Sequence, residues 1–321
     1  MAHNNRKPNM LPYTLKDFQK QFPDDAACLE WLRNRLYPAE GIYCETCEAT
    51  TKHHRVKSRP SYSCDHCGHH VHPTAGTIFH KSPTPLTIWF YAIYLMAQTR
   101  CGISAKQIQR ETGVTYKTAW RMFRQIRSIL DDEKAPPLGG GRKRPVEMDE
   151  MYYGGIRKGQ AGRPMAGDQG KKVTVIGMVE RKGSVRAVVS DNVEGSTMLG
   201  LVKQYVMPKS IVMTDEFRGY NSLDRHLNRY DHRTINHSEK VYVSGEVHTN
   251  TIEGFWSLVK SGIRGVYHQV GRHYLQTYLN EYSFRYNRRF DRTPMFHSFL
   301  HQIEKRDVVV RRDPVMVTEP F

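Results

Sequence analysis

The sequence predicts an α/β protein whose second half is a mixed sheet, preceded by a zinc ribbon and a helix-turn-helix segment. Three observations predict this. Two CxxC pairs, Cys44/Cys47 and Cys64/Cys67, stand sixteen residues apart. Two helical patterns flank a short turn at Gly113. From Val146 onward, apolar strand runs alternate with helical patterns, the order that produces a sheet covered by helices.

The bulk numbers set the frame. A chain of 321 residues has material for two or three domains. Lys and Arg total 48 against 32 Asp and Glu, a formal charge of +16. Such a surplus points to a polyanionic partner, nucleic acid above all, with a merely basic globular protein as the plainer alternative. The start, MAHNNRKPNM, lacks the apolar core of a secretory signal. The longest apolar run, residues 86–97, is twelve residues long, too short for a bilayer and suited to a buried helix. A cytoplasmic location without a membrane partner is therefore expected, and there paired cysteines indicate metal rather than disulfide.

In chain order, residues 1–38 form an N-terminal helical segment with Leu15, Phe18, Phe22, Cys28, Leu29, Trp31, Leu32 and Leu36 as its apolar faces. Residues 39–80 form the ribbon. Each CxxC knuckle aims two thiolates at one point, so Cys44, Cys47, Cys64 and Cys67 close a tetrahedral site for one structural Zn²⁺. His53, His54, His66, His69, His70 and His72 are then surplus and expected to face solvent or phosphate. Lys52, Arg55, Lys57, Arg59 and Lys81 make contact of the ribbon with DNA the expectation. Residues 81–131 hold one apolar helix and then the pair 105–112 and 116–127, joined by a Gly-containing turn. The second of the pair is basic and suited to a major groove, with Lys117, Arg121 and Arg124 as candidate contacts; an ordinary helical hairpin is the plainer reading. Residues 132–145, rich in Gly, Pro and charge, read as a linker.

Residues 146–305 change character. Strands are predicted from Val146, over 172–179 and over 185–189, with a Gly-rich loop at 158–170 and a turn at Lys182 and Gly183. A helix over 194–206 leads to a buried strand, 210–215, that ends in Asp215. A loop with a short helix, a strand at 230–235 and a helix from Thr249 follow. The tail, 306–321, is uninformative.

That last helix, in HTNTIEGFWSLVKSGIR (248–264), organises the chemistry. Ile252, Phe255, Trp256, Val259 and Ile263 recur at offsets of three and four. Glu253 and Lys260 are two helical turns apart and Arg264 lies one turn further. If the first and fourth strands are neighbours, Asp149 and Asp215 lie side by side, and the helix bearing Glu253 can pack across them. Three converging carboxylates repel one another unless a cation is present. Oxygen-only ligands suit Mg²⁺ or Mn²⁺, and two such ions about 4 Å apart support chemistry at a phosphodiester. Each acid has a rival: Glu147 or Glu150 for Asp149, a turn cap or Glu216 for Asp215, and a surface pair with Lys260 for Glu253. Trp256 reads as a core anchor or a base-stacking residue. Over 274–289, a helix with aromatic and Leu spacing backs the layer, and its Arg285, Arg288 and Arg289 are placed to meet DNA.

Several long stretches together carry a resemblance: FPDDAACLEWL, the CxxC pairs, TAGTIFHKSPTPLTIWF, EMDEMYYGG, MTDEFRGY, HTNTIEGFWSLVKSGIRGVYHQV and LNEYSFRYNRR. The chain resembles the DDE transposases of bacterial insertion sequences, in the zinc-ribbon-bearing group akin to the Merlin-type elements of eukaryotes. The resemblance implies an RNase H-like catalytic domain with Asp149, Asp215 and Glu253 as catalytic, Mg²⁺-binding residues. It matches Lys260 to a phosphate-holding base and His248 to an HTN motif that orients the site or contacts DNA, a polar helix entry being the plainer reading. It implies double-stranded DNA partners (terminal inverted repeats and target DNA), a homo-oligomer that synapses two ends, and nucleoid association. A catalytically inactive regulator and an RNase H-like nuclease are the rival functions.

Overall fold

In the computed structural model, residues 10–132, 134–141, 144–154, 172–224, 229–234 and 248–305 are described. The Gly-rich loop expected at 158–170, the tail 306–321 and the first nine residues lie outside them.

The chain opens with α1 (Leu15–Gln21) and α2 (Asp25–Leu36). Thr14 and Asp17 cap α1 reciprocally, each side chain accepting from the other's amide. The ribbon follows: β1 (Ile42–Cys44) pairs antiparallel with β2 (Ala49–Thr51), and β3 (His53–Val56), β4 (Ser61–Cys64) and β5 (His70–Val71) form a second small sheet. Next is α3 (Leu86–Gln98), the apolar run of the sequence. Pro85 gives it no side-chain cap, so Asp25 of α2 does, accepting from the amides of Leu86 (3.0 Å) and Thr87 (2.9 Å). Apolar all round, α3 is buried on most of its surface. Among the described residues no helix is long and apolar enough to cross a membrane.

Then come α4 (Ala105–Thr112), capped by Ser104, and α5 (Tyr116–Ser128), capped by Thr115. Gly113 between them takes φ 73°, the left-handed conformation that closes α4. The second half contributes β6 (Val146–Tyr153), β7 (Val173–Glu180), β8 (Val185–Ser190), α6 (Gly195–Tyr205) and β9 (Ile211–Thr214). It continues with a 3₁₀ turn (Arg218–Tyr220), α7 (Asn221–Asp224) and β10 (Asp231–Thr234). It closes with α8 (Asn250–Gly262), a π-helical turn (Ile263–Tyr267), α9 (Arg272–Asn287) and α10 (Met295–Leu300).

The five-stranded sheet is mixed, in the order β10-β9-β6-β7-β8. The first three strands form an antiparallel meander, while β9 and β10 run parallel to β6. First and fourth strands are therefore neighbours, the condition on which the placement of Asp149 beside Asp215 depended. On one face α6 packs with Met198 and Val202 over Val146, Met148, Ile176 and Met178. On the other, α8 and α9 cover Met151, Val173 and Val175, and this core continues without a break into α1–α5.

Part of the segment expected as a linker is packed. Leu138 is 1% exposed; its amide donates to the Tyr205 carbonyl (2.7 Å) and its carbonyl accepts from Met207 (2.8 Å). Gly139 has φ +87°, and a Cβ there would stand 2.3 Å from Ser210 Oγ. Glycine at this position is a packing requirement rather than a sign of slack.

Candidate active site

The registers Val146↔Val212 and Glu147↔Met213 join β6 to β9. Carried two residues further, they set Asp149 beside Asp215, the residue after β9. Asp215 Oδ1 accepts from the Phe217 amide at 3.0 Å, so the turn cap considered for it exists. Asp149 and Asp215 repel: Asp149 is pushed up to about 7, first by burial and then by Glu150 and Asp215.

The helix bearing Glu253 is fixed over them by a group the sequence offered only as a rival acid. Glu147 is 0% exposed. Its carboxylate accepts from the Thr251 amide (2.7 Å), the Ile252 amide (3.1 Å), the Thr251 hydroxyl (2.8 Å) and Arg181 Nε (2.6 Å). The two amides are unpaired donors of the first turn of α8, where Thr249 supplies no side-chain cap. Arg181 also donates to the His248 carbonyl (2.7 Å), and His248 Nδ1 lies 3.3 Å from Glu147 Oε1. Glu147 thus spends its oxygens on the start of α8. Successive strand residues point to opposite faces. Glu150 accordingly turns from Asp149 and accepts from the Tyr220 hydroxyl at 2.7 Å. Burial is the first cause that raises Glu150.

One turn after Glu253, Trp256 is 3% exposed, and its indole N–H donates to Asp149 Oδ2 at 3.0 Å. The ring lies over Gly177, the residue paired with Asp149 across β6 and β7. A Cβ on Gly177 would stand 2.3 Å from the Trp256 ring. Trp256 is the core anchor considered for it, with a polar duty the periodicity could not reveal. A glycine inside an otherwise apolar strand was the available signal.

Asp149, Glu150, Glu253, Trp256, Lys260 and Arg264 line an open cleft of about 460 Å³. Glu253 is exposed and accepts from the Thr249 hydroxyl at 3.3 Å. Among the described residues Glu253 and Lys260 form no ion pair, so the plain surface pair is not what α8 presents. Oxygen donors and two cations share the cleft, the charge pattern a phosphodiester with a divalent cation would meet. Among the described residues, the three carboxylates do not gather their oxygens within 4.8 Å of one another as the cysteines gather their sulfurs.

The sulfurs of Cys44, Cys47, Cys64 and Cys67 all lie within 4.8 Å of one another. Cys44 to Cys67 is 3.5 Å and Cys47 to Cys64 is 3.9 Å. A tetrahedral zinc with Zn–S bonds near 2.3 Å has S···S edges of about 3.8 Å, so the donor set fits zinc. The Thr51 hydroxyl, then the amides of Cys67 and His66, hold the Cys64 thiol well below its ordinary range, whereas the Cys67 thiol, then burial, push Cys47 up to about 12, so without a cation the cluster does not hold four thiolates. His54, His66, His69, His70 and His72 are exposed. Purified protein is expected to carry about one equivalent of zinc. Metal analysis returning under about half an equivalent, with four titratable thiols in this cluster, would sink that assignment.

On α5 the offsets of four and three put Lys117, Arg121 and Arg124 on one exposed face. Arg121 Nη2 donates to the His80 carbonyl (3.3 Å), and the Arg124 guanidinium lies 5.6 Å from the Tyr274 ring centroid. The expectation for Arg285, Arg288 and Arg289 is corrected. Arg285 is buried against Glu281 and donates to the Met96 and Thr99 carbonyls at the end of α3. Arg288 pairs with Asp132 over the Phe284 ring, and Arg289 stacks on Tyr286 while donating to the Gly183 carbonyl. Their charges are used inside the molecule, because α9 lies between the sheet and the amino-terminal helices.

Residues 137–287, from the packed segment at Leu138 to the end of α9, match the ISXO2-like transposase domain. A protein in the transposable element ISH50 of Halobacterium salinarum is 27% identical over 259 residues, spanning 76% of this chain and 85% of that protein. A transposase-like protein of Haemophilus influenzae is 33% identical over 106 residues, 33% of this chain and 83% of that protein.

Proposed function

The chain belongs to the ISXO2-like transposases of insertion sequences, and from that premise we propose that it binds the ends of its element and catalyses Mg²⁺-dependent strand cleavage and strand transfer. The observation that carries this reading is one cleft shared by Asp149, Glu253, Lys260 and Arg264, with Asp215 directly after the strand that pairs with β6. The order β10-β9-β6-β7-β8 supports an RNase H-like reading of the sheet.

Asp149, Asp215 and Glu253 offer only oxygen, a donor set that fits Mg²⁺ or Mn²⁺. Two such ions, when bound, activate the attacking oxygen and offset charge on the leaving one. The remaining duties fall to the chain. Lys260 and Arg264 hold backbone phosphates beside the acids. Glu147, through Arg181 and the first amides of α8, keeps Glu253 on the side of Asp149, with His248 orienting the helix entry. In cleavage a water oxygen bonds to phosphorus as the bond to the 3′ oxygen breaks; in transfer that freed 3′-hydroxyl oxygen bonds to a target phosphorus, giving up its proton, as the target's own phosphorus–3′-oxygen bond breaks and leaves a target 3′-hydroxyl. Lys117, Arg121 and Arg124 read the terminal repeats, and the ribbon adds phosphate contacts. Two ends must be brought together, so a homo-oligomer acts on double-stranded DNA, at the nucleoid.

The test is a labelled duplex end from the element's own flanks, incubated with protein and Mg²⁺. A cut at the terminus followed by a joined product is expected. Tight binding without any cut, in Mg²⁺ and in Mn²⁺, replaces the enzyme by a DNA-binding regulator.

A further inference from the structure

We propose that Trp256 is a positioning residue for the divalent cation, holding Asp149 to one-oxygen ligation and so favouring Mg²⁺ or Mn²⁺ over Ca²⁺. The inference rests on the reading of Asp149 as a cation ligand. Its ground is the contact between α8 and β6. The indole N–H meets Asp149 Oδ2 at 3.0 Å while the ring is 3% exposed, so this donor has almost no water to turn to. The ring is held in place by its neighbours. Gly177 leaves room beneath it, and Phe255 packs beside it at 5.3 Å between centroids. Asp149 and Trp256 line the same cleft. A phenylalanine would fill most of the space over Gly177, so packing alone does not call for the N–H.

The consequence follows from coordination chemistry. A donor on Oδ2 orients the carboxylate and leaves Oδ1 for a ligand. Partners of this kind, one step behind the metal, typically carry 10–100-fold of metal affinity. Mg²⁺ takes single carboxylate oxygens in a tight octahedron, whereas Ca²⁺ readily takes both oxygens of one carboxylate. Engaging Oδ2 with the indole therefore obstructs two-oxygen ligation.

The experiment uses the full-length zinc-loaded chain and titrates Mn²⁺, reading free Mn²⁺ by electron paramagnetic resonance, with Ca²⁺ as competitor. Wild type, Trp256→Phe and Asp149→Asn are compared. Trp256→Phe is expected to weaken Mn²⁺ by about tenfold or more and Ca²⁺ by less, so that the preference for Mn²⁺ shrinks. A structural filler would not move that ratio. If Trp256→Phe loses its cooperative melting transition, Gly177→Ala displaces the ring while keeping the indole, and the same fall in ratio is expected. An unchanged Mn²⁺ affinity and ratio in the folded variant overturns the inference alone, provided Asp149→Asn abolishes binding. Mn²⁺ binding that is absent in wild type, or indifferent to Asp149→Asn, overturns the ligand reading and the inference together.

Discussion

Asp149→Asn is expected to lower strand cleavage on the order of 10³-fold while leaving affinity for the DNA end within a few-fold of wild type. The substitution keeps shape and removes one charged oxygen donor from the centre of the site. Asp215→Asn and Glu253→Gln are expected to match it, because residues that serve one constellation are lost as a unit. Misfolding can be separated from lost chemistry by the sign of a pH effect. Burial, then Glu150 and Asp215, push Asp149 up to about 7, well above the ordinary range of an aspartate. The folded state thus binds a proton that the unfolded state has released across that window, and stability falls as pH rises through it. With chelator present, Asp149→Asn lacks this loss, so its melting temperature relative to wild type is higher at about pH 8 than at about pH 4. Cleavage by Asp149→Asn within about tenfold of wild type would remove it from the role and leave Glu150 as the acid to test.

What the sequence made legible has a local cause in each case. Cysteine pairs with two residues between them can do little but close on one point, so Cys44, Cys47, Cys64 and Cys67 come together in the structure as expected. The apolar offsets along α8 put Ile252, Phe255, Trp256 and Val259 inside and left Glu253, Lys260 and Arg264 outside. What was not legible depends on pairs far apart in the chain. Glu147 looked like any acid in a strand until the start of α8, 104 residues on, delivered two bare amides to it. The polar end of Trp256 gains meaning only from Asp149, 107 residues away. Arg285 read as a basic helix end because nothing local shows that the carbonyls closing α3, 186 residues earlier, will point at it. Periodicity reports which face of an element is buried; it is silent about which polar group waits on the other side.

The largest loss of stability is expected at Glu281, the buried carboxylate between α5 and α9. Glu281→Leu should cost about 3–5 kcal/mol, because it leaves charge inside the core without its counter-charge. Arg127 is 1% exposed, and its Nε donates to Glu281 Oε2 at 2.6 Å. Its guanidinium lies against the rings of Phe123 and Tyr278, at 3.5 and 3.6 Å from their centroids. Arg285 donates to Glu281 Oε1 from the other side. Burial by itself would raise Glu281, but Arg127 and Arg285 outweigh it and hold the carboxyl low. Its contribution is therefore present above the ordinary carboxylate range and lost as pH falls through the folded value. The two arginines are not equivalent. Arg285 keeps the carbonyls of Met96 and Thr99 when the acid goes, whereas Arg127 is left among the rings of Phe123, Tyr267 and Tyr278. Arg127→Met should accordingly cost less than Glu281→Leu, since the acid it leaves still has Arg285. Adding Arg127→Met to Glu281→Leu should recover part of the loss, a coupling that a double-mutant cycle in denaturant unfolding reads directly. This triad fastens the helix bearing Lys117, Arg121 and Arg124 to the helix that backs the sheet, so the basic face of α5 and the cleft are held in one frame. Strict additivity of the two substitutions would mean that Arg127 and Glu281 do not depend on each other, and that aromatic packing rather than charge joins α5 to α9.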